Sequence, residues 1–242
     1  MLYIFFMRIT KYYSPNFDFK ERSSRSITAI IIHYTGMQSE RESLKRLTNP
    51  NKKVSCHYLI NRKGTIFRLV KDKNIAWHAG NSMWGRYKNL NKNSIGIELV
   101  NKGHKYGYQA FTKIQIKKLV NLCKKLKRKY KIKNRLILGH SDIAPLRKID
   151  PGEKFPWDYL SSKGVGIYPA NVKKIKLFKR NKDAGVFFKN LSKIGYRYLS
   201  RKFQRRIVKN FQRRFRQKKV DGVLDLETLK ISQILAKKSN IA

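Results

Sequence analysis

The sequence predicts an α/β protein, with a central mixed β-sheet flanked by helices and then a small C-terminal three-helix domain. Three observations carry that expectation. Short β-branched runs alternate with helix-period segments over about the first 170 residues. Strand-like runs cease after Pro169. The chain beyond that point is amphipathic and basic, with ten Lys or Arg between 201 and 220.

Residues 27–33 (ITAIIIH) form a continuous apolar run, as expected of a strand buried on both faces. A short helix is predicted near 40–47, then a turn at Asn49-Pro50-Asn51. Runs 54–60 and 65–70 are strand-like and separated by Asn61 to Gly64, where glycine supplies the positive φ of a hairpin turn. Residues 73–93 read as a long surface loop rich in Asn, Gly and Trp. A buried strand is expected at 94–100 and a helix near 112–130 with Thr112 as its N-cap. Strand 135–139 ends at His140, and a Pro-punctuated loop runs to Trp157. Three helices are predicted at about 182–194, 200–216 and 225–237. Asp221-Gly222 reads as a turn and Asp225 as an N-cap, since too few ligands follow for a calcium loop.

Composition narrows the function. The 242 residues hold 57 Lys and Arg against 14 Asp and Glu, a formal charge of +43. That field attracts polyanions such as anionic wall polymers, membrane surfaces or nucleic acid, unless it reflects drift toward surface lysine. Cys56 and Cys123 lack metal or redox spacing and read as free thiols. The run Met1 to Met7 is too short to cross a bilayer and has no basic segment or cleavage site, and no cysteine follows it for lipidation.

The five histidines include two, His33 and His140, that end apolar strands, where side chains emerge onto the rim of a sheet. Asp142 and Asp150 follow His140 in a chain with few acids. Two imidazoles and a carboxylate can hold a catalytic zinc with one position left for water, although their spacing alone is weak evidence. Glu98 lies inside the apolar run SIGIELV, where a carboxylate is either ion-paired or kept as a catalytic base. Lys148, near Asp150, is suited to stabilising an oxyanion.

The motifs IIIHYT (30–35), VSCHYLI (54–60), AWHAG (76–80), SIGIEL (94–99), GHSDIAP (139–145) with RKIDPG (147–152), and FPW (155–157) occur in this order. Together they resemble the N-acetylmuramoyl-L-alanine amidases of the second type, in the AmiD/AmpD-like group. The resemblance covers about residues 25–170 and implies a zinc enzyme that cuts the lactyl–L-alanine amide of peptidoglycan. It implies one zinc held by His33, His140 and Asp150, with Glu98 and Lys148 catalytic. It places Tyr34, Trp77, His78, Ala144 and Arg147 near substrate. Cys56 departs from the small residue common there. Residues 211–215 and 220–228 are similar to the three-helix peptidoglycan-binding domain of cell-wall hydrolases.

The expected organisation is an extension at 1–24, a catalytic domain at 25–170 and a peptidoglycan-binding-like domain at 171–242. Peptidoglycan or muropeptides are the expected partners, with a possible anionic wall or membrane contact through the basic tail and no specific nucleic acid. The binding-like tail favours the periplasm or envelope over the cytoplasm. A receptor that binds without cutting is disfavoured by the filled ligand set and Glu98.

Overall fold

The computed structural model describes residues 8–169 and 184–239. The apolar run at 1–7, the boundary expected at 170–171 and the start of the helix expected at 182 lie outside them. The chain divides into two compact units, Met1–His78 with Asn91–Lys133, and Ala79–Leu90 with Asn134–Ala242.

The first unit begins with β1 (Ile9–Lys11), β2 (Phe17–Asp18), β3 (Ala29–Tyr34), α1 (Glu40–Thr48), β4 (Tyr58–Ile60), β5 (Ile66–Arg68) and β6 (Ile75–Ala76). The chain then passes through β7 (Met83–Trp84) and β8 (Tyr87–Lys88) of the second unit and returns with β9 (Ser94–Leu99) and α2 (Lys113–Tyr130). Five of its strands lie in the order β1-β5-β4-β9-β3. β3 and β4 both run parallel to β9, while β4 and β5 form the antiparallel hairpin. Gly64 turns that hairpin at φ 85°. The sheet is therefore mixed, and β3 and β9 are apolar on both faces because both are covered.

Helix α2 buries Ile116, Leu119, Leu122 and Leu126 at helical spacing. Thr112 accepts from the Gln115 amide at its N-terminus. The Gln115 side chain donates to the Ile60 and Val100 carbonyls, joining the helix to two strands.

The second unit holds the β7–β8 hairpin, β10 (Ile137–Gly139), α3 (His140–Ile143), α4 (Trp157–Ser162), α5 (Ala184–Ile194), α6 (Gln204–Phe215) and α7 (Leu226–Ser239). Phe187, Leu191, Phe211, Phe215, Ile231 and Leu235 are among its buried side chains. Asp225 accepts from the Thr228 amide, the N-cap geometry expected for α7.

Several boundaries differ from expectation. Residues 54–57 are not strand, because the Ser55 amide bonds the Trp77 carbonyl instead of a ladder partner. The expected loop after His140 opens with α3, nucleated when Asp142 accepts from the Gly139 amide at 2.6 Å. The segment 73–93 contains β6 to β8 rather than loop alone. The N-terminal segment adds β1 parallel to β5.

Candidate active site

The first unit brings His33 and Glu98 side by side. In the parallel β3–β9 register they are direct partners, so their side chains leave the same face of the sheet. His33 Nε2 lies 3.1 Å from His78 Nδ1, and His78 Nε2 lies 3.3 Å from the Ser94 hydroxyl. Such a partner orients a ligand imidazole and fixes its tautomer. The His78 ring lies against the backbone of β9, where a β-carbon on Gly96 would sit 2.4 Å from its Cγ. A glycine inside this apolar strand is thus required by close approach.

Below this layer His57 is fully buried. Its Nδ1 accepts from the Gly96 amide, and its Nε2 lies 2.9 Å from the Arg22 guanidinium. Burial, aided by the Arg22 charge, lowers its pKa from 6.5 to about 3. Burial also raises the Cys56 thiol well above its usual value, with the Glu98 charge adding to the effect.

The second unit carries His140 and Asp150. His140 Nε2 is 3.1 Å from the Ala79 carbonyl, and its Nδ1 is 3.1 Å from Asp150 Oδ2. Two donors each about 2.0–2.1 Å from a tetrahedral ion lie about 3.3 Å apart, so this pair is spaced for one zinc. Arg147 bonds the same Ala79 carbonyl and donates to the Asn81 carbonyl, pinning the 79–81 turn to the loop before Asp150. Burial lowers the Arg147 pKa, opposed by the Asp150 charge. At Gly139 a β-carbon would meet Pro151 Cδ at 2.8 Å, so glycine lets the segments that carry His140 and Asp150 close on each other.

Asp142, beside His140, is almost fully buried and ion-paired with Arg214 of α6. The Tyr196 hydroxyl donates to its other oxygen at 2.6 Å. Arg214 also bonds the Ile137 carbonyl and stacks 4.0 Å over the Trp157 ring. Asn210 donates to the Pro145 and Lys148 carbonyls. Helix α6 therefore grips both segments that carry His140 and Asp150.

His33, His140 and Asp150, all buried, form a group whose ligand atoms lie within 4.8 Å of one another. Two imidazoles and a carboxylate, each imidazole oriented through a second contact, make a donor set that fits one zinc ion.

A family model described as N-acetylmuramoyl-L-alanine amidase matches residues 23–153. The chain belongs to the N-acetylmuramoyl-L-alanine amidase family. The amidase is 36% identical over 234 residues to AmiD of Escherichia coli strain K12, covering 88% of this chain and 83% of that one. It is 35% identical to the 1,6-anhydro-N-acetylmuramyl-L-alanine amidase AmpD of Haemophilus influenzae, over 62% of this chain and 89% of that one. Among solved structures, E. coli AmiD in complex with anhydro-N-acetylmuramic acid-L-Ala-D-γ-Glu-L-Lys superposes with a TM-score of 0.79 at 34% identity, covering 88% and 90% of the two chains. AmpDh3 of Pseudomonas aeruginosa with an anhydromuramic pentapeptide gives 0.81 at 29% identity, covering 90% and 93%. The family is zinc-dependent, and this amidase takes one zinc ion as cofactor and hydrolyses the amide between N-acetylmuramoyl and L-alanine.

The remaining predicted residues fall in distinct places. Tyr34 joins an aromatic cluster, its hydroxyl 2.9 Å from His104 Nδ1, with His104 stacked on Tyr108. Trp77 Nε1 donates to Asp18. Ala144 is buried, and its carbonyl accepts from the amides of Arg147 and Lys148. His78 is a buried partner of His33, held away from solvent. Sequence reasoning missed Asp142, Tyr196, Asn210 and Arg214 as supports. Only Asp142, an acid two positions after a histidine at a strand end, carried a visible signal.

Proposed function

We propose that His33, His140 and Asp150 hold the zinc, that Glu98 is the general acid–base and that Lys148 steadies the oxyanion. The observation that supports this most is the convergence of three ligand atoms within 4.8 Å, with Glu98 the direct register partner of one ligand. A bound zinc supplies a Lewis acid that activates water and polarises a carbonyl. Glu98 takes the proton of the attacking water and returns it to the L-alanine nitrogen as the C–N bond breaks. The Lys148 ammonium offsets negative charge gathering on the carbonyl oxygen. His78 and the Ala79 carbonyl keep the two ligand imidazoles oriented throughout.

The substrate in this reading is the muropeptide unit, as named in the AmiD and AmpDh3 complexes, within intact peptidoglycan or released from it. Among the described residues no helix is long and apolar enough to cross a membrane. The basic helical segment favours work on polymer in the periplasm or envelope, with α5 to α7 serving as a peptidoglycan-binding-like module. Deleting 171–242 would not test that role cleanly, because the deletion also removes Arg214 from Asp142.

Glu98→Gln is expected to lower kcat by about 10²–10⁴-fold while zinc content stays at that of the parent. Near-normal release of peptide from muropeptide by this variant would remove Glu98 from the mechanism. His140→Ala is expected to lose metal and activity together.

A further inference from the structure

A groove of about 660 Å³ runs between the loop before Asp150 and the start of α6. Seven of its eleven lining residues are Lys or Arg, and none is acidic. The loop contributes Arg147 and Lys148, and the facing wall contributes Lys202, Arg205 and Lys209. The wall is built rigidly. Arg206 donates to the Leu146 carbonyl at 2.7 Å, and Asn210 donates to the carbonyls of Pro145 and Lys148 at 2.6 and 3.0 Å. Arg213, also in the lining, is neutralised by Glu153. Among the described residues no carboxylate lies within ion-pair distance of Lys202, Arg205 or Lys209. Cations facing one another across a concave wall repel, and an anionic ligand relieves that repulsion while forming charge-assisted hydrogen bonds.

We infer that this groove is an exosite for a second, uncut stem peptide of polymeric substrate, bound through its carboxylates next to the stem being cut. The inference rests on the amidase reading. Two features select this occupant over other polyanions. First, the groove floor is the chain segment that leads directly into Asp150, so an occupant there is contiguous with the cleavage site. A membrane or nucleic acid on that floor would compete with substrate. Second, the chemistry matches. The peptide in the AmiD complex, L-Ala-D-γ-Glu-L-Lys, exposes one carboxylate on the γ-linked residue and another at its end. Guanidinium and ammonium groups recognise such groups, and a groove offers an extended chain more contacts than a flat surface does.

The exosite predicts a preference for polymer over fragment that resides in KM. The test compares the full-length zinc enzyme with its Lys202→Gln/Arg205→Gln/Lys209→Gln variant. Substrates are purified sacculi, the same sacculi with carboxyls converted to primary amides, and a single anhydro-muropeptide. On native sacculi the variant is expected to show a KM raised about tenfold at unchanged kcat, an effect that fades in high salt. On amidated sacculi and on the single muropeptide the two proteins should behave alike. An equal KM rise on amidated sacculi, or no rise on native sacculi, overturns the proposal. So does loss of binding to anionic vesicles or DNA with unchanged use of sacculi.

Co-sedimentation with native and amidated sacculi reads the groove without any bond being cut. Carboxylate-dependent binding lost in the variant would uphold the exosite even if no L-alanine amide were hydrolysed, a result that would defeat only the amidase reading. Binding that is equal for both proteins overturns the exosite whatever the activity.

Discussion

His33 and the His140–Asp150 pair are ligand candidates of one ion, yet they are built in opposite ways. His33 sits at the end of a buried strand whose backbone register aligns it with Glu98, and its immediate surroundings come from β9 and the nearby His78. His140 and Asp150 stand on a short helix and an irregular loop held by side chains from a distant helix. The first arrangement draws its precision from a backbone ladder. The second draws it from a buried ion pair and a few amide-to-carbonyl bonds. A ladder resists any one substitution, whereas a support made of single side chains fails at single positions.

Three substitutions or conditions sharpen that contrast. The largest effect is expected from Arg214→Ala, which leaves Asp142 buried without its cation. Breaking a buried pair from one side costs about 3–5 kcal/mol. Denaturant unfolding should show the loss, and zinc stoichiometry should fall with it, although residue 214 touches no ligand. Full zinc content at parental stability would show that the 140–150 segment holds itself.

Gly96→Ala probes the strand-borne half. Its β-carbon must displace the His78 ring from 2.4 Å. A cost of about 1–3 kcal/mol is expected, with zinc affinity weakened about 10–100-fold through the lost support of His33. Competition with a zinc chelator measures the second quantity. A larger stability loss here than for Arg214→Ala would reverse the ranking of the two halves.

The smallest effect, about 1 kcal/mol when read over the first pH unit below 6.5, concerns pH. His57 binds its proton in the unfolded chain near pH 6.5 but in the folded state only near 3. Stability from this group is therefore complete above about 6.5 and declines as pH falls toward 3, by about 1.4 kcal/mol per pH unit. Chemical denaturation across that window reads the slope, and His57→Gln should flatten it while lowering stability at neutral pH. An unchanged slope in the variant would assign the acid sensitivity to other groups.

The contrast also explains which features are legible in the sequence. β3 and β9 announce themselves as apolar runs, and the histidine ending one and the lone glutamate inside the other are visible because buried strands rarely carry such residues. The helix at 113–130 is legible for the same reason, a strict periodicity with Thr112 ahead of it. Arg214 is not. In the sequence it is one of ten basic residues between 201 and 220, and nothing local separates it, or the likewise buried Arg216, from the exposed ones. Its partner is 72 residues away. Gly96 interrupts an apolar strand for no local reason, and only the His78 ring accounts for it. His78, expected near substrate from its motif, is buried in the structure and lies within hydrogen-bond distance of His33.

The Arg214–Asp142 pair also sets an order of events during synthesis. Before residue 214 has left the ribosome, every proposed metal ligand is already outside, but the carboxylate beside His140 has no guanidinium to neutralise it. Metal capture is expected to strengthen once residue 214 is in place, and zinc titration of a chain ending before it would measure the difference. A prematurely terminated chain would carry the full set of ligand residues and still be a poor zinc protein.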